Sequence, residues 1–341
     1  MKIAHFHFGK DGGAEKFFVH LVNALAERGI EQRVVIRPDR QWRADLHPSI
    51  GVKESHFRTV SLDRVLLPLH VRSMIRQWRP DCVLGWMPKG AKLVPDEPGP
   101  LKLARLGDYP TELRKFRNID TLVCNTPGIA KHVREMGWER GVEVISNFTE
   151  IEKVTAITRD ALDTPRDAYV VSSMGRFVPR KGFDVLIRML AEQPEIYLWI
   201  LGDGEEERNL KALAAELDVA GRVRFAGWRK DPRPYIAASD CFAMASSHEP
   251  LGNVVLEAWA QDVPVVSTRA EGPSWFMRDR ENGLLVDIGD CKGFGDAIDA
   301  LKRDPDLAAG IVKGGRRTLT EMFSEDAIVG AYLDLISARH A

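Results

Sequence analysis

Short apolar runs alternate with amphipathic helical patterns along almost the whole chain of 341 residues. Residues 2–8 (KIAHFHF) predict a strand, residues 14–28 (AEKFFVHLVNALAER) predict a helix that ends at Gly29, and residues 32–36 (QRVVI) predict the next strand. This alternation is typical of βαβ units, in which parallel strands form a sheet covered by helices. The sequence therefore predicts an α/β protein.

The pattern starts afresh in the second half of the chain, after a polar and weakly patterned segment at 147–166. Further strands are predicted at 82–85, 121–125, 142–145, 169–174, 197–201, 223–226, 241–245 and 264–267. We therefore predict two doubly wound, Rossmann-like domains that face a central cleft. Their predicted bounds are 1–150 and 151–325, and residues 326–341 are predicted to form a C-terminal helix that packs back on the first domain.

Composition narrows the class of protein. A hydrophobic content of 44% is ample for two cores, yet no run approaches the roughly 20 apolar residues of a membrane span, and the first residues do not resemble a signal peptide. We expect a cytoplasmic protein, with no nucleic acid among its partners. Residues 1–150 hold 24 Lys and Arg against 18 Asp and Glu, whereas residues 151–341 hold 24 against 31, so the first half is the one expected to meet an anionic partner.

The segment 246–266 (SSHEPLGNVVLEAWAQDVPVV) places Glu249 before a predicted helix and Glu257 inside it. Pro250 and Gly252 disfavour helix at the start of the segment, so the helix is expected to begin near Asn253. Free backbone N–H groups at a helix start suit an anion such as a phosphate. The groups expected to be free are those of Gly252, Asn253, Val254 and Val255.

The spacing of the two glutamates argues against a glycosidase acid/base pair. On one continuous helix their eight-residue separation would span about 12 Å, longer than the roughly 5 to 9.5 Å that such pairs use. A ligand with several hydroxyls and a phosphate fits better. The alternative interpretation is a core helix capped at the surface, with two solvated glutamates.

Three other loops follow predicted strands, where ligands of doubly wound sheets bind. Residues 9–15 (GKDGGAE) bring Gly12 and Gly13 to a helix start, residues 175–182 (GRFVPRKG) bring the cations Arg176, Arg180 and Lys181, and residues 202–206 (GDGEE) begin with Gly202. Cations at a strand end suit a diphosphate leaving group. Each loop also has a plainer interpretation, as a tight turn, a solvated basic turn or a strand-to-helix turn. None of them is a dinucleotide fingerprint or a P-loop.

The order GGAE, GRFVPRKGFDVLI, LGDG, FAGW, HEPLGNVVLEAWAQDVPVVST and ENGLLV resembles the retaining glycosyltransferases of family 4, which have the GT-B fold. The resemblance covers nearly the whole chain. It implies that Arg176 and Lys181 bind the diphosphate, that Glu249 contacts the transferred sugar and that Glu257 holds the ribose. It also implies donor contacts at Gly12, Gly13, Gly202, Leu251, Gly252, Asn253 and Val254, with base contacts near Gly227 and Trp228.

Two positions depart from the family pattern. Many members have a histidine in the first domain, and this chain has Asp108 in the corresponding region. By resemblance we expect Asp108 to take the role of that histidine, which is to position the sugar and the acceptor side. Asp262 replaces the usual glycine before P-V-V, which should alter a turn and not the chemistry. His248 could hydrogen-bond a donor phosphate or hydroxyl.

His5 and His7 share one face of a predicted strand, as two metal ligands could, or they pack in the strand as core residues. A third ligand is not apparent in the sequence, and the resemblance implies neither a metal nor another cofactor.

The resemblance implies transfer of a hexose from a nucleoside diphosphate sugar to a saccharide, in the lipopolysaccharide core or another lipid-linked glycan. Two alternatives stay open: a sugar-nucleotide 2-epimerase of the same fold, and a non-catalytic sugar-nucleotide-binding protein. Residues 62–78 (LDRVLLPLHVRSMIRQW) set Arg64, Arg72 and Arg76 beside apolar side chains. This segment is either a basic amphipathic face resting on the anionic inner surface of the cytoplasmic membrane or an ordinary surface helix broken by Pro68.

Overall fold

The computed structural model describes residues 1–10, 12–57 and 62–338, apart from the side chain of Arg64. It divides at residues 148 and 149 into two compact units, and the chain from Glu325 onward belongs to the first of them.

Seven parallel strands form the sheet of the first unit. They are β1 (Lys2–His7), β2 (Glu31–Ile36), β3 (Gly51–Glu54), β4 (Cys82–Trp86), β5 (Leu101–Leu106), β6 (Thr121–Cys124) and β7 (Gly141–Val144). Their order across the sheet is β3-β2-β1-β4-β5-β6-β7. The helices between them are α1 (Gly13–Glu27), α2 (Asp63–Trp78), α3 (Met87–Ala91) and α4 (Pro127–Glu135).

The second unit has a six-stranded parallel sheet. Its strands are β8 (Tyr169–Met174), β9 (Ile196–Leu201), β10 (Val223–Gly227), β11 (Cys241–Met244), β12 (Val265–Thr268) and β13 (Leu284–Val286). Their order is β10-β9-β8-β11-β12-β13. The helices are α5 (Phe183–Met189), α6 (Glu207–Glu216), α7 (Arg233–Ala237), α8 (Asn253–Ala260), α9 (Glu271–Phe276), α10 (Cys291–Arg303) and α11 (Pro305–Met322). The α/β class with two Rossmann-like parallel sheets is thus confirmed.

A last helix, α12 (Glu325–Ser337), lies in the first unit. Its buried side chains Ile328, Val329, Tyr332 and Ile336 join the same apolar core as the buried residues of α1. At its start, Arg28 from the end of α1 donates to Glu325 Oε1 at 2.8 Å and to Asp326 Oδ1 at 2.5 Å. Apolar burial and charge therefore both hold the end of the chain against α1.

Helix α2 continues across Pro68, so the expectation that this proline breaks the helix is wrong. A proline in a helix interior costs about 3 kcal/mol or more. The face of α2 that holds the apolar side chains Leu67, Val71, Met74, Ile75 and Trp78 is buried in the first unit. Burial of each such side chain stabilises by about 1.5 to 3 kcal/mol, and their sum exceeds the cost of the proline.

His5 is a core residue with a complete set of protein partners. Its Nε2 lies 3.0 Å from Gln32 Oε1, and the indole N–H of Trp86 donates to its Nδ1 at 3.3 Å. Because an indole nitrogen can only donate, the ring is neutral and carries its proton on Nε2. Burial lowers the pKa of His5 to about 3; the hydrogen bond to Gln32 opposes this effect and the nearby His7 adds to it.

Acid should therefore destabilise the protein through His5. In the unfolded chain His5 is protonated near its ordinary pKa of 6.5, whereas in the folded state it is protonated only near pH 3. The contribution of His5 to the free energy of unfolding is complete above pH 6.5. At lower pH this free energy should decrease by up to about 1.4 kcal/mol per pH unit. Urea unfolding of the wild type and of His5→Asn between neutral and acid pH measures this, because other groups contribute equally to both slopes. Equal slopes for the two proteins would contradict the assignment.

Candidate functional site

The order of strands in the second unit reverses between β8 and β11. From β8 the chain adds β9 and β10 on one side, and then adds β11, β12 and β13 on the other. The neighbouring strands β8 and β11 pair in parallel, so the loops that follow them leave the same edge of the sheet. Such a switch point leaves a crevice beyond the carboxyl ends of the strands, where ligands of this architecture bind. The loops at 175–182 and 245–252 flank this crevice.

A close backbone approach joins these two loops. Gly182 has φ of +65°, and a Cβ atom at this position would lie 2.2 Å from the Ala245 carbonyl oxygen, so only glycine fits. Hydrogen bonds also connect the loops: Ser247 donates to Arg180 O through its N–H at 2.9 Å and through its Oγ at 3.4 Å, and Arg180 Nη1 donates to His248 O at 3.2 Å. The loop after β8 (175–182, the β8 loop) and the loop after β11 (245–252, the β11 loop) are therefore packed directly against each other.

Lys181 and Glu249, one from each loop, form an ion pair between Lys181 Nζ and Glu249 Oε2. Each side chain is only 14% exposed. Ser246 Oγ donates to the same carboxylate oxygen at 3.3 Å. Partial burial weakens solvent screening, so this pair is stronger than one on the open surface. Arg176, in the same loop as Lys181, is exposed to solvent.

Helix α8 begins at Asn253 as predicted, directly after Gly252 with φ of +92°. Leu251 is buried before the helix, and Asn253 and Val254 are half-buried in its first turn. One detail of the prediction is wrong: Val255 N–H donates to Gly252 O at 2.9 Å, because Gly252 is the N-cap residue and its carbonyl accepts the first hydrogen bond of the helix. Glu257 lies one turn deeper and is only 8% exposed.

The loops after β9 and β10 meet the same sheet edge. Gly202 has φ of +137°, and its N–H donates to Gly227 O at 3.0 Å. A Cβ atom on Gly202 would lie 2.0 Å from Gly175 O, so glycine is needed here for packing between strand ends. Trp228 follows directly after β10 and is 59% exposed.

The predicted residues of the first unit follow β1 and β5. Gly12 has φ of +148° and Gly13 begins α1, while the Glu15 carboxylate packs against Gly9 so closely that a Cβ atom there would overlap it. Burial alone would raise the pKa of Glu15, but the nearby His7 and the charge of Arg40 keep it below its ordinary value. Asp108 is exposed two residues after β5, and its Oδ1 accepts from Tyr109 N–H at 2.8 Å.

Sequence reasoning missed Glu271, the first residue of α9. Its Oε1 lies 2.9 Å from His248 Nδ1, and its Oε2 accepts from Glu249 N–H at 3.1 Å. Burial alone would raise the pKa of Glu271, but the hydrogen bonds from His248 and from the two backbone N–H groups hold it below its ordinary value. The signal that could have found it is its place in the loop after predicted strand 264–267.

Asp262 adopts φ of +58°, the left-handed conformation for which glycine is favoured. Its carboxylate pairs with Lys153 and with Arg316 Nη2, the latter at 2.6 Å. These contacts offset the conformational cost of a side chain in this turn.

Among the residues that the structure describes, no three His, Cys, Asp or Glu side chains are grouped so that they could hold a metal ion.

Residues 155–318 match the family model described as glycosyl transferases group 1. The chain is 59% identical over 339 residues to the lipopolysaccharide core biosynthesis glycosyltransferase LpsE of Rhizobium meliloti strain 1021, covering 99% of this chain and 100% of that protein. It is 48% identical over 335 residues to LpsD of the same organism, covering 98% of each. The crystal structure of Anabaena HepE with UDP and glucose aligns with a TM-score of 0.83 and 22% identity, covering 99% of this chain and 100% of that one. This likeness confirms the GT-B fold.

The approach of the two loops at Gly182 should make this residue sensitive to any side chain. We expect Gly182→Ala to lower the free energy of unfolding by about 1 to 3 kcal/mol, because the new Cβ atom combines positive φ with overlap on the Ala245 carbonyl. The matched control is Gly221→Ala, whose Cβ atom would meet no heavy atom within 4 Å. Chemical denaturation of both variants measures the difference, and equal stability would contradict the described approach.

Proposed function

Because this chain belongs to the group 1 glycosyl transferases, we propose that it transfers a hexose from a nucleoside diphosphate sugar to the lipopolysaccharide core. The observation that carries the proposal is the Lys181–Glu249 pair at the switch point of the sheet, where a cation and a carboxylate lie side by side, as a phosphate and a sugar hydroxyl would require. Two relatives matched along their whole length, LpsE and LpsD, are lipopolysaccharide core enzymes by name, which supports this acceptor. HepE binds UDP and glucose, which makes UDP-sugars the first donors to test.

The proposed reaction follows from charge. As the bond from the anomeric carbon to the diphosphate oxygen lengthens, negative charge grows on the phosphate and positive charge on the sugar. Lys181, Arg176 and the N–H groups of Gly252 to Val254 at the start of α8 would stabilise the phosphate. They would supply the positive charge themselves, so the proposed reaction uses no metal.

We propose retention of the anomeric configuration. The acceptor oxygen forms its bond to the anomeric carbon on the face from which the diphosphate departs. The acceptor proton passes to the departing phosphate oxygen, so no dedicated general base is needed. Glu249 would orient the hydroxyls of the transferred sugar, and Asp108 would position the sugar and the acceptor.

The remaining contacts are assigned to the donor and its surroundings. Glu257, largely buried on α8, would accept hydrogen bonds from the ribose hydroxyls. Gly202 and the exposed Trp228 would line the nucleotide site. Gly12 and Gly13, at the start of α1, would let the backbone approach the ligand.

None of the described helices is both long enough and apolar enough to span a bilayer. Helix α2 nevertheless presents a second apolar face to solvent. Leu62, Val65, Leu66 and Leu69 are 80%, 65%, 56% and 56% exposed, and their spacing puts them on one side of the helix. Such a stripe on a surface helix is typical of an interaction site.

Beyond this stripe, Arg72 and Arg76 contact the single carboxylate of Glu97, Arg76 through two hydrogen bonds. Two cations against one carboxylate leave this end of α2 positive. We propose that the stripe rests on the anionic inner face of the cytoplasmic membrane, where a lipid-linked acceptor would be presented.

Removal of Lys181 or Glu249 should abolish transfer while leaving the fold intact. We expect Lys181→Ala and Glu249→Ala each to lower kcat by at least about 100-fold, because each takes away a group that stabilises the departing phosphate or orients the sugar. Rates are measured with UDP-, GDP- and ADP-hexoses and a core-truncated lipopolysaccharide, in buffer with EDTA. Lys313→Ala, an exposed lysine on α11, is the control.

Near-normal turnover in either variant, with thermal unfolding like that of the wild type, would contradict the proposal. Release of isomerised free donor in the absence of acceptor would identify an epimerase instead.

Charges placed in the α2 stripe should weaken membrane binding. We expect the double variant Leu66→Asp, Leu69→Asp to bind phosphatidylglycerol-containing vesicles at least about 10-fold more weakly, since each apolar side chain contributes about 1.5 to 3 kcal/mol when buried. Vesicle flotation measures binding, with neutral phosphatidylcholine vesicles for comparison. The control is Ile288→Asp, a similarly exposed apolar residue of the second unit. Equal flotation of the double variant and the control would exclude this surface.

A further inference from the structure

Glu271 uses both of its carboxylate oxygens on the β11 loop. Oε2 accepts from the backbone N–H of Glu249 at 3.1 Å, and Oε1 contacts Nδ1 of His248 at 2.9 Å. One side chain thus holds two successive residues: Glu249, which the proposed function assigns to the transferred sugar, and His248, for which the sequence predicts a hydrogen bond to a donor phosphate or hydroxyl. We propose that Glu271 is a positioning residue that fixes the backbone of Glu249 and the ring tautomer of His248 for sugar binding. This inference rests on the proposed function and adds a residue to it.

The neighbouring Gly272 also binds the backbone of Glu249. Its N–H donates to Glu249 O at 2.9 Å, so the Glu271–Gly272 pair binds the N–H of residue 249 with a side chain and its C=O with the backbone. A Cβ atom on Gly272 would lie 2.2 Å from Leu251 O, which shows how closely the start of α9 approaches the loop. Together with the ion pair to Lys181, these contacts constrain both the backbone and the carboxylate of Glu249.

The Glu271 carboxylate determines which ring nitrogen of His248 carries the proton. An ionised carboxylate can only accept, so a hydrogen bond to His248 requires the proton on Nδ1. The neutral ring then carries its lone pair on Nε2, which can accept from a sugar hydroxyl, and a protonated ring can donate to a phosphate. The side chain of His248 is 38% exposed, and the charged groups of the two joined loops are Arg176, Arg180, Lys181 and Glu249.

Glutamine cannot replace both functions of Glu271. Its amide has one accepting oxygen and one donating nitrogen, whereas the carboxylate can accept from both the Glu249 N–H and the His248 ring. If the amide oxygen keeps the Glu249 N–H, the amide nitrogen must donate to His248 Nδ1, which moves the ring proton to Nε2. Glu271→Gln should therefore preserve the loop and invert the hydrogen-bonding character of His248 toward the sugar.

The test compares Glu271→Gln with His248→Asn, Lys181→Ala and the control Glu321→Gln, an exposed glutamate on α11. We expect Glu271→Gln to lower kcat about 10- to 100-fold, the range for a misplaced substrate-orienting group, with UDP affinity within about twofold of wild type because the nucleotide contacts lie elsewhere. Nitrogen NMR of His248 should show the proton on Nδ1 in the wild type and on Nε2 in Glu271→Gln. His248→Asn should also lower kcat while leaving thermal unfolding unchanged.

The outcomes separate the two proposals. Loss of transfer in Lys181→Ala with wild-type kcat in Glu271→Gln would overturn the role of Glu271 and leave the proposed function standing. Retained transfer in Lys181→Ala would count against the proposed function, and the His248 tautomer would still test the Glu271 contact. An unchanged tautomer in Glu271→Gln would overturn the inference directly.

Discussion

The approach of the Gly182 backbone to the Ala245 carbonyl is the constraint on which the candidate site depends. It exists because β8 and β11 are neighbours at the point where strand order reverses, so loops distant in sequence leave the same sheet edge together. A side chain at position 182 would force these loops apart. Only with the loops in contact can Lys181 from one reach Glu249 from the other.

The resulting ion pair places a cation beside a carboxylate, an arrangement that would suit the proposed ligand with its phosphate and hydroxyl groups. Lys181 has three N–H donors, so it can contact a diphosphate without giving up Glu249. Glu249 is held at its carboxylate by Lys181 and Ser246 and at its backbone by Glu271 and Gly272. A group fixed before the ligand arrives needs little reorganisation during the reaction, which is the usual source of electrostatic stabilisation in enzymes.

Apolar periodicity alone predicted most strands within one or two residues, and the bounds of β8 agree fully. It missed three strands: β3 (Gly51–Glu54), whose four residues are exposed or only half-buried, β5 (Leu101–Leu106), whose apolar run is interrupted by Lys102 and Arg105, and β13, which has only three residues. Loop position and family resemblance together identified Lys181 and Glu249. The Glu271 contact was missed, because its place after the predicted strand 264–267 indicates the correct sheet edge but not that its carboxylate reaches the loop at 245–252. The Val255 N–H was predicted wrongly because the carbonyl of the N-cap residue, Gly252, accepts the first hydrogen bond of the helix and so occupies this donor.

The two halves of the chain carry different amounts of information about function. The group 1 family model matches residues 155–318, all within the second unit, whereas the likeness to LpsE and LpsD extends along the whole chain. We therefore propose that the donor binds to the second unit, where cations, carboxylates and glycines meet at one sheet edge. Acceptor choice must be sought in the first unit, with its excess of basic residues, its exposed Asp108 and the apolar stripe of α2. An acceptor that is anionic and anchored in lipid would complement both the charge and the stripe, and the lipopolysaccharide core has both properties.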